Sequence, residues 1–267
     1  MERFLIFGMP RSGTTSLAFL LGTLGKVAHE PFNERSGALR RNLHFRQLLG
    51  QWSCLPEQLS SDKSAHQGAN WNRMARLVET EEACARYLDR LFTHFRGIKH
   101  TWPALSDEGN HRIIDWCMAH GVSVIFQYRK NIALAVLSAQ LARQTGIWQL
   151  TGRESAKKRE QWGHARFEPV NVEPFKRQFQ KWSEQQTSYL KRLAGARCFK
   201  LAYEQLYEAW NWQRQRTLNR LCKHLSIAPG ALQPGDVKRI MFNPNSKQTN
   251  RKTLRRIPNY PELKHFL

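Results

Sequence analysis

The stretch "FLIFGMPRSGTTSL", Phe4 to Leu17, decides how the rest of the chain is read. An apolar, β-branched and aromatic run ends at Gly8, and a G-x-x-x-x-G frame from Gly8 to Gly13 leads into a run of helix formers. This is the frame of a phosphate-binding loop, in which backbone N–H groups and the positive end of the next helix converge on an anion that glycines allow to approach. A nucleoside triphosphatase follows its second glycine with a lysine that organises the β and γ phosphates. Thr14 stands there instead, and the nearest cation is Arg11, followed by Ser12. By itself the frame also fits an ordinary strand-to-helix turn capped by Thr and Ser. Preceding strand, donor-rich loop and following helix together favour an anion site that does not organise a triphosphate.

Outward from the loop, "SLAFLLGTLG" predicts an amphipathic helix ending at Gly25, and "KVAHEPFN" a short strand or turn in which Pro31 argues against helix. "TEEACARYLDRLFTHF" predicts a helix capped by Thr80 with acidic residues in its first turn, "GIKHTW" a buried strand, and "DEGNHRIIDWCMAHG" a helix stopped at Gly121. Val122 to Tyr128, "VSVIFQY", is the clearest strand, and "NIALAVLSAQLARQTG" the helix after it. Val172, Phe175, Phe179, Trp182, Tyr189 and Leu193 recur at three- and four-residue spacing and predict a long helix with one apolar stripe. "ARCFKLAYEQL" reads as a further strand and "RQRTLNRLCKHL" as a further helix. Repeated strand–helix alternation predicts an α/β fold, a parallel sheet covered on both faces. A single domain over 1–267 is expected, with insertions near 50–78 and 151–170, the latter a loop, and a basic tail near 243–267.

Lys and Arg total 42 against 21 Asp and Glu, a formal charge of +21, so the expected partner is anionic. The first strand starts too early for a leader peptide, and no window nears the ~18 apolar residues that span a bilayer. The five cysteines, Cys54, Cys84, Cys117, Cys198 and Cys222, form no C-x-x-C pair, which suits reduced thiols in a cytoplasmic protein. The strongest strand ends in "QYRK", where an Mg²⁺-dependent enzyme of this architecture usually has a carboxylate, so no metal is expected and Arg129 is read as holding a further anion.

These residues resemble the sulfotransferases that use 3′-phosphoadenosine 5′-phosphosulfate. "PRSGTT", with Arg11, Ser12, Gly13, Thr14 and Thr15, and then Ser16, looks like their 5′-phosphosulfate loop. "YRKNIALAVLSAQLARQTGIW" is similar to their 3′-phosphate element, which implies Arg129, or the adjacent Lys130, and Ser138 as ligands. "HEPFN", "GIKHTW", the Tyr203-Glu204 pair and "RRIPNYPEL" look like the bacterial branch related to trehalose sulfotransferase. The resemblance implies a three-layer P-loop-type sheet of about four or five strands, no metal, and Glu30 as the base. The cofactor implied is 3′-phosphoadenosine 5′-phosphosulfate, with adenosine 3′,5′-bisphosphate as product. The acceptor does not carry over; a sugar hydroxyl, on a small-molecule or glycan acceptor, is the default reading.

Sulfuryl transfer needs positioned donors for developing charge and a base for the attacking hydroxyl. Arg11 and the loop amides fit the first role and Glu30 the second, with His29 as the alternative base. Lys99 and His100 close a strand on the expected active edge, where either can stabilise a leaving oxygen or remain a solvated charge. Lys247, Arg251 and Lys252 can cover an anion or form a solvated tail, and Trp52, Trp71 and Trp102 can stack on a ring or pack in the core. Two rival readings stand beside this one: a P-loop nucleoside or sugar kinase, disfavoured by the missing lysine, and a basic nucleic-acid-binding protein, disfavoured by dispersed cations and the lack of a recognisable module.

Overall fold

The computed structural model describes residues 1–33, 77–148, 150, 155–241 and 250–267. Strands β1 (Phe4–Gly8), β2 (Val27–His29), β3 (Gly97–Thr101), β4 (Ser123–Tyr128) and β5 (Cys198–Ala202) form one sheet in the order β2-β3-β1-β4-β5. Every pairing is parallel, with Gly8 level with Thr101 on one side and Gln127 on the other. Burial on both faces explains the unbroken apolar strands: all of β1 is buried, Phe4 and Ile6 facing one core and Leu5 and Phe7 the other.

Helix α1 (Thr14–Leu21) packs on the first face with α8 (Asn211–His224) and α9 (Pro234–Met241) through Leu17, Leu20, Leu221 and Met241. The second face carries α2 (Glu81–His94), α3 (Asp107–Ala119), α4 (Ile132–Thr145) and α6 (Val172–Arg192). Helix starts follow side-chain chemistry: Thr80, Ser106, Asn131 and Asn171 each accept a bond from an amide of the first turn. The apolar stripe of α6 is core, as its spacing suggests, with Phe175, Trp182 and Tyr189 buried.

Three expectations are corrected. The helix after the loop starts at Thr14 and ends at Gly22, not Gly25; Thr14, Leu17, Ala18, Leu20 and Leu21 are buried, the last four against α8 and α9, while Phe19 is exposed. Residues 151–170 are not a loop throughout: α5 (Ser155–His164) runs through them, and Trp162, Phe167 and Val170 are buried. Its single apolar anchor, Trp162, leaves no periodicity to read. The basic tail, where described, is packed chain: α10 (Arg251–Leu254) and α11 (Tyr260–Leu263) bring Ile257 and Leu263 into the main core, and Arg256 Nη1 donates to the Trp162 carbonyl at 3.1 Å. Most of the region near 50–78 lies outside the described residues, though Leu77 and Val78 are buried.

The α7 turn (Tyr203–Tyr207) directly follows β5. Because α1 leaves β1 toward one face and α4 leaves β4 toward the other, the loops after β1 and β4 diverge and open a crevice at the carboxyl ends of the strands, where sheets of this kind take ligands. Among the described residues no helix is long and apolar enough to cross a membrane. Cys84, Cys117, Cys198 and Cys222 are free thiols; Cys54 lies outside the described residues.

Candidate active site

In the loop after β1, Arg11 has φ 66° and Gly13 φ 84°, so left-handed residues alternate with Ser12 and curl the backbone into a concavity. Glycine is required at position 13: its φ is positive, and a Cβ there would meet the Tyr207 ring at 2.4 Å. Gly8 is required for closeness, since a Cβ would stand 2.5 Å from the Gln127 carbonyl of β4. Ser12 is not aimed at a ligand: its hydroxyl donates to the Met9 carbonyl at 2.6 Å, and Gln127 Nε2 donates to its carbonyl at 2.6 Å. It anchors the loop from beneath. Among the described residues no side chain caps α1, so the first-turn amides near buried Thr14 and half-buried Thr15 are left for another acceptor. Ser16 lies in the same turn, beside the Tyr207 hydroxyl.

On the β4 side the structure joins the two predicted anion elements. Arg11 Nε donates to Ser138 Oγ at 3.0 Å, and Arg11 also donates to the Trp148 carbonyl. Arg129 is buried, donates from Nη1 to the Arg11 carbonyl at 3.3 Å, and lies 4.3 Å over the Tyr203 ring. Its Nε has no hydrogen-bond partner among the described residues and stands 4.0 Å from Glu204 Oε1. Burial lowers the Arg11 pKa to about 10, and the neighbouring Arg129 charge pushes the same way. Lys130 is exposed, whereas Arg129 is buried.

On the other side of β1, Glu30 has φ 51° in a tight turn closed by Asn33 N donating to its carbonyl at 3.0 Å. Such a conformation in a non-glycine residue marks a position over-determined by its surroundings. Its carboxylate is paired with Lys99 Nζ and accepts from Asn33 Nδ2 at 2.9 Å. Burial pushes the Glu30 pKa up, yet Lys99 and Asn33 outweigh it and leave the group below its ordinary value, hence ionised at neutral pH. Lys99 is thereby a partner of Glu30 rather than a solvated charge.

His100 is fully buried, with Nε2 at 2.7 Å from Asn110 Oδ1, and burial holds it at about 4. His29, its ring tilted 40° against Phe19 at 4.8 Å, is also lowered to about 4, by burial first and Lys99 second. Both rings are neutral at pH 7. Trp102 packs fully buried between Phe7 and Phe126. Trp52, Trp71 and Lys247, and the side chain of Arg251, fall outside the described residues; Lys252 is exposed.

Strand β3 separates β2 from β1, so Glu30 and the loop lie two strand spacings apart, roughly 10 Å, along one edge. Residues that sequence reading overlooked are Tyr207, Gln127 and Asn33. Tyr207 donates from its hydroxyl to the Gly13 carbonyl at 2.8 Å and stacks on Tyr203 at 4.6 Å. The spacing of Tyr203 and Tyr207 just after a strand, and a glutamine inside an otherwise apolar strand, were the signals available. No family model matches the chain, and no curated protein matches it.

Proposed function

We propose that the chain is a sulfotransferase that moves the sulfuryl group of 3′-phosphoadenosine 5′-phosphosulfate to an acceptor hydroxyl on a carbohydrate or glycoconjugate. One observation carries this reading. The crevice between β1 and β4 draws two guanidinium groups, Arg11 and Arg129, together at a concave loop, with Glu204 as the carboxylate beside them. Like charges placed so close are held at a cost unless an anion joins them. The unpartnered Nε of Arg129 and the uncapped amides of α1 point to two anionic groups rather than one. These residues fit a nucleotide with separate 5′ and 3′ anions: Arg11 and the amides of Gly13, Thr14 and Thr15 for the first, Arg129 with Ser138 for the second. Ser138 accepts from Arg11 and keeps its own proton to donate.

When bound, the nucleotide supplies an activated sulfuryl group open to in-line attack by an oxygen. The chain's contribution is position and charge. The loop amides and Arg11 neutralise oxygens at the transferring end, preorganised so that no solvent need reorient. Glu30 takes the proton of the attacking hydroxyl. A carboxylate below its ordinary pKa is a weak base, which suffices where the hydroxyl acidifies only as its new bond forms. Lys99 keeps that carboxylate charged and aimed.

The test is nucleotide preference, read by thermal melting. A ligand at a hundredfold excess over Kd stabilises the fold by about 2.7 kcal/mol. Adenosine 3′,5′-bisphosphate should stabilise well and ADP poorly, and Arg129→Ala should erase most of the difference. Stronger stabilisation by ATP with Mg²⁺ would return the kinase reading. A shift produced only by DNA at low salt would favour a nucleic-acid-binding protein.

A further inference from the structure

Glu204 and Tyr203 lie against Arg129. The register of β4 with β5 sets Tyr128 beside Ala202, which brings the first residues of α7 against the turn that follows β4. Glu204 spans that turn: Oε2 accepts from Lys130 N at 3.0 Å, Oε1 accepts from Asn131 N at 3.2 Å, and Arg129 Nε stands 4.0 Å from Oε1. Asn131 in turn caps α4 through Leu134 N at 2.9 Å, so the carboxylate ties the Arg129 backbone to a helix start. Tyr203 places its ring 4.3 Å from the guanidinium carbon and stacks on Tyr207, whose hydroxyl donates to Gly13. With Arg129 Nη1 donating to the Arg11 carbonyl, these contacts close a circuit from Gly13 through both tyrosines to Arg129 and back to the loop. A flexible arginine is thus held in one pose before any anion arrives.

We infer that Tyr203 and Glu204 are positioning residues that make the crevice selective for a nucleotide with a second anion, by presenting Arg129 in a fixed pose at a fixed distance from the loop. This rests on the donor-site reading above. The sign of the effect separates positioning from simple charge. A carboxylate near a bound phosphate repels it, so on charge alone removing Glu204 should tighten binding of a second anion. If instead the carboxylate holds the pose, its removal weakens that binding because the arginine must be ordered by the ligand.

The experiment is calorimetric titration of adenosine 3′,5′-bisphosphate and of ADP into the whole chain and into Glu204→Ala, Glu204→Gln, Tyr203→Leu and Tyr203→Phe. Glu204→Ala and Tyr203→Leu should each lower bisphosphate affinity about tenfold, the size of one charge-assisted contact, with ADP affinity unchanged. Tyr203→Phe keeps the ring and should behave as wild type. Glu204→Gln keeps an acceptor for one amide and should fall between. Unchanged or tighter bisphosphate binding in Glu204→Ala overturns the inference, as does an equal fall for both nucleotides. A wild-type protein that binds the two nucleotides alike overturns the donor-site reading and this inference with it, whereas a wild-type preference that the variants retain overturns this inference alone.

Discussion

The two halves of the active edge treat buried charge in opposite ways. Around the loop and β4, two guanidinium groups stand with one carboxylate among the described residues, and the surplus there is positive. Beyond β3, Glu30 and Lys99 pair with each other while His29 and His100 are kept neutral by burial, so that half is balanced. An unbalanced pocket is a place for a charged ligand, and a balanced, desolvated one is a place where a proton can move without a net charge being stranded. On the proposed function, the difference separates holding from chemistry on one sheet edge.

The sharpest way to break that comparison is to change Glu30 alone. Glu30→Gln keeps the shape and the Asn33 bond and removes the proton acceptor, so turnover should fall by about 10²-fold or more with bisphosphate affinity unchanged. Near-normal turnover would show that the balanced half is only structural. On the other half, Gly13→Ala places a methyl group against the Tyr207 ring at a positive φ. It should lower stability by roughly 1–3 kcal/mol and abolish bisphosphate-induced stabilisation, while ring-free Tyr207→Ala combined with it should recover part of the loss.

Acid titration sharpens the comparison from the other side. His29 and His100 are held at about 4 when folded and protonate near 6.5 when unfolded, so below pH 6.5 the unfolded chain binds more protons and stability drops as pH falls. The expected slope is on the order of 1 kcal/mol per pH unit for each buried ring, down to about pH 4, and His100→Gln should flatten it. Glu30, lowered below its ordinary 4.5, adds its own loss as pH falls below about 4.5. A melting temperature flat between pH 7 and 5 would contradict the neutral, buried histidines. The smallest effect is expected from chelation: because guanidinium groups supply the positive charge beside the loop, sulfuryl transfer should survive excess EDTA, and an absolute Mg²⁺ requirement would contradict that.

Much of this edge is legible from local pattern. Strand-forming runs, the G-x-x-x-x-G frame, and helix caps such as Thr80 act within a few residues, so the sequence carries them directly. The parallel sheet follows from alternation, and the loop's need for glycine at positions 8 and 13 from its frame. Partner identity is another matter. Arg11 and Ser138 are far apart in sequence and meet only because α4 returns over β4; Lys99 meets Glu30 only because β2 pairs with β3 in register. Nothing local in "SAKKREQWGH" announces that Trp162 is buried, since the C-terminal segment that covers it lies about ninety residues later.

By itself, then, the chain's sequence determined the alternation of strands and helices, the glycine-dependent turn of the first loop and the positive surplus, because each depends on neighbours along the backbone or on composition. Only the tertiary structure decided which charges are compensated. Burial and distance set the energy of a charge, and both arise when strands far apart in sequence come to lie side by side. That is why Lys99 is a partner of Glu30 and not a free cation, why His100 is a buried neutral ring, and why the arginine at the end of β4 stands fixed beside the loop.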